Sequence, residues 1–266
     1  MTENRVRVRH ILSLSGGKDS TALAIYLRDR IAELEYVFCD TGEELPETYE
    51  YLERVEAYLG KPIVRLNPDR PFSHYLKLYR GVLPDARTRW CTRLLKIRPF
   101  ERYVGEDPVI NYIAIRADEP HRKGYISIKP NITARYPFIE DNITRVDVLR
   151  ILEESGLGLP EYYRWRSRSG CYFCFFQQRS EWVGLLQNHP DLFEAAKQFE
   201  KFDPETNERF TWNPQESLEE LSQPSRVAQI LAEKCSRKPA ARRSTSLIDI
   251  VVDDEAEVQS CLICHL

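Results

Sequence analysis

Ser15-Gly16-Gly17-Lys18-Asp19-Ser20 gathers the parts of an anion cradle into six residues. The two glycines permit a tight turn and let bare backbone N–H groups come close to a phosphate. Lys18 adds a point charge, and Ser15 and Ser20 add hydroxyl donors. Two further stretches, Asp40-Thr41-Gly42 and Arg116-Ala117-Asp118-Glu119-Pro120-His121-Arg122, carry carboxylates and cations suited to ribose and phosphate contacts. Cys171-Tyr172-Phe173-Cys174 sets two thiols at a spacing that can point both at one metal, and Cys91 is a third candidate. These residue types point to phosphate chemistry beside sulfur or metal chemistry. A plain strand-to-helix turn, a redox dithiol or a zinc half-site would use some of the same residues.

The elements that must hold these groups follow from the apolar pattern. Arg9 to Leu14 reads as a strand, Ser20 to Arg30 as a helix and Glu35 to Cys39 as a strand. Leu45 to Leu59 reads as a helix with Pro46 at its start, where a missing N–H is harmless. Ile63 to Leu66 and Val109 to Ile115 read as further buried strands, with helices at Phe72 to Tyr79 and Cys91 to Tyr103 between them. This alternation predicts an α/β fold, a mostly parallel twisted sheet flanked by helices, with a helical C-terminal part and a tail. Ligands of such sheets bind at the carboxyl ends of the strands, and all three polar stretches fall there. Further along, Thr144 to Glu154 reads as a helix ended by Gly156, and Asp191 to Phe202 as a helix preceded by Pro190. The expected domains are residues 1–190 for the nucleotide-binding unit, 191–235 for a helical extension, and 236–266 for a linker and cysteine-containing tail.

At 266 residues the chain can bury a full core. With 38 Lys and Arg against 41 Asp and Glu the net charge is −3, which excludes polyanion binding by bulk charge. Locally, the stretches from Arg87 to Arg98 and from Arg164 to Arg168 mix cations with aromatics. They suit phosphate contacts and base stacking, or equally solvated arginines beside a core tryptophan. The sequence has no apolar run long enough to span a bilayer and its first residues have no signal-peptide pattern, so a cytoplasmic location without membrane association is expected. Seven cysteines in that setting argue for metal or sulfur chemistry rather than disulfides.

The loop spacing is not that of the Walker motif. Ser15 to Ser20 resembles the PP-loop of the ATP pyrophosphatases. Asp40-Thr41-Gly42, followed by Pro46-Glu47-Thr48, is similar to a segment of the phosphoadenosine phosphosulfate (PAPS) reductase family, and Arg116…Glu119…Arg122 resembles that family's Arg-x-x-Glu-x-x-Arg segment. The resemblance spans residues 10–190. It implies ATP and Mg²⁺ as ligands, held by Ser15, Gly16, Gly17, Lys18, Asp19, Ser20, Asp40, Thr41, Gly42, Arg116, Glu119 and Arg122. It implies catalytic roles for Lys18, Asp19, Ser20 and Arg116, with Asp19 and Asp40 holding the ion or orienting the ribose. Because the loop is intact, ATP rather than an already adenylated sulfate is the expected nucleotide.

Combined with the cysteines, the chain is most similar to DNA phosphorothioation proteins of the DndC and SspD type. That implies a transferase-like role in phage defence: adenylation of a DNA backbone phosphate and transfer of sulfur from a cysteine desulfurase partner, alongside other phosphorothioation subunits. A PAPS or APS reductase and an ATP-dependent RNA thiolation enzyme are the alternatives. Relatives ligate a [4Fe–4S] cluster through cysteines in these regions, which carries over to Cys91, Cys171 and Cys174. Zn²⁺ or free thiols are the alternatives. The fourth ligand stays open between Cys261, Cys264 and a three-cysteine cluster. Cys39 and Cys235 are expected to be structural. Cys264-His265-Leu266 loosely resembles the tail nucleophile of assimilatory reductases, and would otherwise belong to a packing strand.

Overall fold

The structure, a computed structural model, describes residues 7–122, 124, 127–203 and 208–237. Five strands, β1 (Arg9–Leu14), β2 (Leu34–Cys39), β3 (Ile63–Leu66), β4 (Val109–Tyr112) and β5 (Ile132–Arg135), form one sheet in the order β3-β2-β1-β4-β5. Every pairing is parallel, with Leu12 opposite Tyr36 on one side and Tyr112 on the other. The expected sheet is therefore present. β1 and β2 are apolar on both faces because helices cover both sides, as parallel sheets require.

Helix α1 (Lys18–Arg28) follows β1, and α2 (Pro46–Leu59) follows β2 and ends on Gly60. Helix α3 (Phe72–Leu78) follows β3. The run expected to be one helix from Cys91 to Tyr103 is three pieces: α4 (Trp90–Thr92), a wide π turn (Arg93–Ile97) and α5 (Arg98–Val104). Pro99 has no N–H to return to Leu95, and the widened turn just before it takes up the misfit. Beyond the sheet come α6 (Pro137–Glu140), α7 (Arg145–Glu154), α8 (Arg179–Asn188) and α9 (Pro190–Lys197). A hairpin of β6 (Lys201–Asp203) and β7 (Glu208–Phe210), then α10 (Leu218–Leu221) and α11 (Pro224–Arg237), complete the described chain.

The helix expected from Asp191 to Phe202 thus stops at Lys197. Phe199 turns inward against Phe72, Phe173 and Trp212, and the Glu200 carboxylate accepts from the amides of Trp212 and Leu218. Both demands are incompatible with continuing the helix. The strand expected to reach Ile115 ends at Tyr112, although Ile113 to Ile115 remain buried. The linker expected to begin at residue 236 is still helical there, and the tail with Cys261 and Cys264 lies outside the described residues.

Two cores flank the sheet, one under α1, α2 and α7 and the other around Ile11, Phe100 and Val104. A third unites α3 and α4 with residues 162–230, so the 191–235 segment shares its core with residues that precede it. Its centre is a stack of rings: Phe72 on Phe173 at 4.3 Å between centroids, and Phe173 on Trp212 at 5.1 Å. Among the described residues no helix is long and apolar enough to cross a membrane.

Candidate functional site

The strand order reverses at β1, with β2 and β3 on one side and β4 and β5 on the other, so the crevice above the β1 and β4 ends is the expected ligand position. The Ser15–Ser20 loop leaves β1 there. Gly16 sits at φ +72, and a Cβ would lie 2.6 Å from Thr48 Cγ2; a Cβ on Gly17 would lie 2.7 Å from Ser169 Oγ. Neither position tolerates a side chain. Gly17 is the N-cap of α1 and offers no side chain to the first helical amides, which leaves the positive end of the helix directed at the crevice.

The loop is braced by hydroxyls. Ser20 Oγ accepts from the Ser15 amide at 3.1 Å and donates to the Gly17 carbonyl at 3.2 Å, with Ser15 Oγ 3.0 Å away. Three residues from the 160s segment close over it, and sequence reading missed all three. Tyr162 donates to the Gly16 carbonyl at 2.7 Å, Tyr163 Oη accepts from the Lys18 amide at 3.2 Å, and Ser169 donates to Ser15 Oγ at 3.1 Å. Lys18 is only 3% exposed, its ammonium 5.2 Å from the centre of the Tyr163 ring and 3.7 Å from Asp19.

The structure brings together Asp19 and Arg116, which lie 97 residues apart in sequence. Arg116 Nη1 donates to Asp19 Oδ1 at 2.9 Å and Nε donates to Asp118 Oδ1 at 2.9 Å, while Glu119 accepts from the Arg116 amide and from Arg122 Nη1. Burial opposes the charge on Arg116, but Asp19 and Glu119 outweigh it and hold the guanidinium firmly protonated. Asp40 closes its own loop, Oδ1 accepting from the Gly42 amide at 2.9 Å and from Tyr49 at 2.8 Å. Thr41 points the other way, donating to Glu44 Oε1 at 3.0 Å and lying 3.3 Å from Cys171 Sγ.

Cys91 and the Cys171–Cys174 turn meet on the far side of Thr41. The turn is fixed by main chain and by two buried ions. The Tyr172 amide donates to the Glu43 carbonyl, Arg166 donates to the carbonyls of Gly170 and Cys171, and Glu181 accepts from the Ser167 amide and hydroxyl. Burial pushes the Cys91 thiol up to about 11, with Cys174 adding to it, and raises Cys171 well above the usual range, with Glu44 adding to it. Lys96, set on the π turn, stands amid these groups. Burial works against its charge, yet Glu44, Cys171, Cys39 and Cys174 together hold it protonated. Cys39 is buried and donates to the Lys96 carbonyl, in line with a structural role.

Among the described residues no three His, Cys, Asp or Glu side chains are gathered as a ready site for a metal ion. The three thiols nevertheless form one electrostatically coupled group lined by Lys96 and by Arg89, whose own charge is opposed by burial and supported by Cys91 and Cys174. A lining of cations opposes a bare dication and favours an anionic group such as a thiolate-ligated iron–sulfur cluster, and the donor set fits that group.

The two basic stretches divide. Trp90 is a core residue stacked on Phe72 and Tyr79, and Arg166 is 2% exposed and committed to carbonyls. Arg87 and Arg93 are exposed, whereas Arg89 and Arg168 lie over the Phe176 ring at 5.6 and 5.8 Å. Phe173 anchors the cysteine turn from below. Phe173→Ala should cost about 3–5 kcal/mol, the usual range for emptying an aromatic core position, read as a lower urea midpoint at an unchanged slope.

The fold and site define a doubly wound α/β protein with a glycine loop and helix N-terminus at the switch point of its sheet. The chain belongs to the phosphoadenosine phosphosulfate reductase domain family, whose profile matches residues 9–166. The cysteine turn lies beyond that match. Two uncharacterized proteins of Methanocaldococcus jannaschii are similar, at 27% identity over 73% of this chain and 25% over 68%. The chain spans less than half the length of either, 42% and 45%. An uncharacterized nin region protein of Escherichia phage lambda is 26% identical, covering 66% of this chain and 68% of its own length. A solved PAPS reductase from Candida auris, in a phosphate complex, shares the fold with a TM-score of 0.50 at 15% identity, over 63% of this chain and 83% of that one. The family is one of enzymes whose chemistry joins nucleotides and sulfur.

Proposed function

We propose that this protein is an ATP pyrophosphatase that adenylates an acceptor for sulfur incorporation, the acceptor being a DNA backbone phosphate. The single observation carrying this reading is the complete Ser15–Ser20 loop at the switch point, with a buried Lys18 and the open N-terminus of α1. An already adenylated sulfate carries no β,γ-pyrophosphate to release, whereas ATP does, and the loop supplies charge where that pyrophosphate departs.

In this reading the pyrophosphate of ATP enters the loop by replacing hydrogen bonds the protein makes to itself, those of Tyr163 to the Lys18 amide and of Ser169 to Ser15. Lys18 and the helix amides then offset negative charge as the α–β bond breaks. A nonbridging oxygen of the acceptor attacks the α-phosphorus and pyrophosphate leaves. Sulfur at the sulfide level attacks the activated phosphorus, and AMP departs with the former acceptor oxygen. Arg116 holds Asp19 in place beneath the reacting phosphates.

Mg²⁺ would supply a bridge between phosphate oxygens. Asp19 Oδ1 and Asp40 Oδ1 are committed to Arg116 and to Gly42 and Tyr49. The ion's main partners would therefore be the nucleotide and water, the usual manner for this cation. A [4Fe–4S] cluster on Cys91, Cys171 and Cys174 would hold the incoming sulfur, with a cysteine desulfurase as its source and other phosphorothioation subunits as partners. The family match and the shared fold with a PAPS reductase favour a second reading, reduction of a sulfonucleotide to sulfite. Mass spectrometry of nuclease-digested DNA for phosphorothioate dinucleotides, run beside a sulfite assay with PAPS, separates the two. Phosphorothioate appearing only when ATP, a sulfur donor and DNA are all present is the expected result; sulfite formed without ATP would sink the first reading.

A further inference from the structure

The three cysteines leave one position of a four-ligand centre unfilled, and a buried carboxylate stands beside them. Glu44 is 6% exposed, and its Oε2 has no hydrogen-bond partner. Its Oε1 accepts from Thr41 and lies 3.8 Å from Cys171 Sγ. Neither water nor protein satisfies the second oxygen, although buried carboxylate oxygens are ordinarily paired. The position is not accidental to a mobile loop. The Glu43 carbonyl accepts from the Tyr172 amide at 2.8 Å, so the main chain carrying Glu44 is tied directly to the Cys171–Cys174 turn.

We propose that Glu44 is the fourth donor of the cysteine centre, which is then held by Cys91, Cys171, Cys174 and one carboxylate rather than by a cysteine of the tail. The inference rests on the iron–sulfur reading given above. Cys39, although near, is not the missing ligand, because it is buried and its thiol is turned to the Lys96 carbonyl. Thr41 holds Oε1, leaving Oε2 as the atom free to donate. An oxygen donor is harder than a thiolate and binds iron less tightly. The iron it holds is the one most easily opened to an incoming sulfur, and replacing one cysteine by another ligand type also changes the reduction potential of a cluster.

The test uses the full chain, reconstituted anaerobically with ferrous iron and sulfide, in wild-type, Glu44→Gln and Cys261→Ser/Cys264→Ser forms. Iron per chain, the visible absorption band and electron paramagnetic resonance are read on each, with circular dichroism melting to check folding. Glu44→Gln keeps the shape of the side chain but removes the anionic donor. It should lose about one iron in four, the share of a single corner of a four-iron cluster, and change the resonance spectrum, while the double tail variant keeps wild-type iron. Wild-type iron and spectrum in Glu44→Gln would overturn the proposal, as would loss of iron in the tail variant alone. Wild-type protein that takes up no iron would overturn it too. Pyrophosphate release by the wild-type protein in the same preparations reads the ATP assignment separately, so failure of the one is distinguishable from failure of the other.

Discussion

Replacing Lys18 by alanine should cut pyrophosphate release from ATP by roughly two to three orders of magnitude, the effect of losing one preorganised charge-stabilising group. That factor corresponds to about 3–4 kcal/mol of transition-state stabilisation. Lys18 is buried at 3% exposure and held between Asp19 and the face of Tyr163, so its ammonium needs no reorganisation when charge develops on the leaving group. Ser20→Ala should act in the same direction, because Ser20 Oγ joins the Ser15 amide to the Gly17 carbonyl and so fixes the shape of the loop. Steady-state pyrophosphate release, measured with the acceptor present, checks both. A normal rate in Lys18→Ala would mean that the loop does not stabilise a departing pyrophosphate, and the ATP assignment would fall with it.

The loop was legible because its parts are contiguous. An apolar run, two glycines and an amphipathic helix specify strand, turn and helix locally, and β1 and α1 appear where those signals are. Asp40 and Arg116 were legible as site residues for the same reason, since each directly follows a buried strand. What the sequence concealed is what depends on distant chain segments. Tyr162, Tyr163 and Ser169 reach the loop from about 145 residues away, as Lys18–Tyr163 illustrates, and nothing in their local pattern signals that contact. Arg166 sits in a stretch of arginines that reads as a surface, yet it is buried because the carbonyls of Gly170 and Cys171 need a donor there. Lys96 looked like one more basic residue of an amphipathic helix. The π turn ahead of Pro99 rotates the register so that its ammonium stands among the thiols.

Electrostatic accounting links the two halves of the site. Thr41 lies between them: its neighbour Asp40 faces the nucleotide crevice, and its own hydroxyl bridges Glu44 and Cys171. The cations Lys96 and Arg89 lie on the cysteine side, whereas Asp19, Asp118 and Glu119 surround Arg116 on the other. An anionic cluster and an anionic nucleotide can therefore each be met by its own positive groups without sharing them. This separation gives a physical reason why substitutions at one centre should leave ligand binding at the other largely intact.

The cysteines supply the second large effect. Protein purified without oxygen should be brown, absorbing near roughly 400 nm through thiolate-to-iron charge transfer, and Cys91→Ser, Cys171→Ser and Cys174→Ser should each bleach it. Cys171 and Cys174 belong to one turn pinned by Phe173 and Arg166, while Cys91 comes from the start of α4, so simultaneous loss in all three variants cannot arise from collapse of a single loop. Without a metal, burial holds Cys91 and Cys171 as neutral thiols. Metal binding must therefore release protons and should strengthen as pH rises. Iron content, absorption and chelator resistance measured across pH 6 to 9, roughly the range over which such sites lose protons, check this together with the variants. Colourless protein carrying one zinc per chain would replace the cluster by a zinc site on the same thiols, and colour surviving all three substitutions would remove the metal from this site altogether.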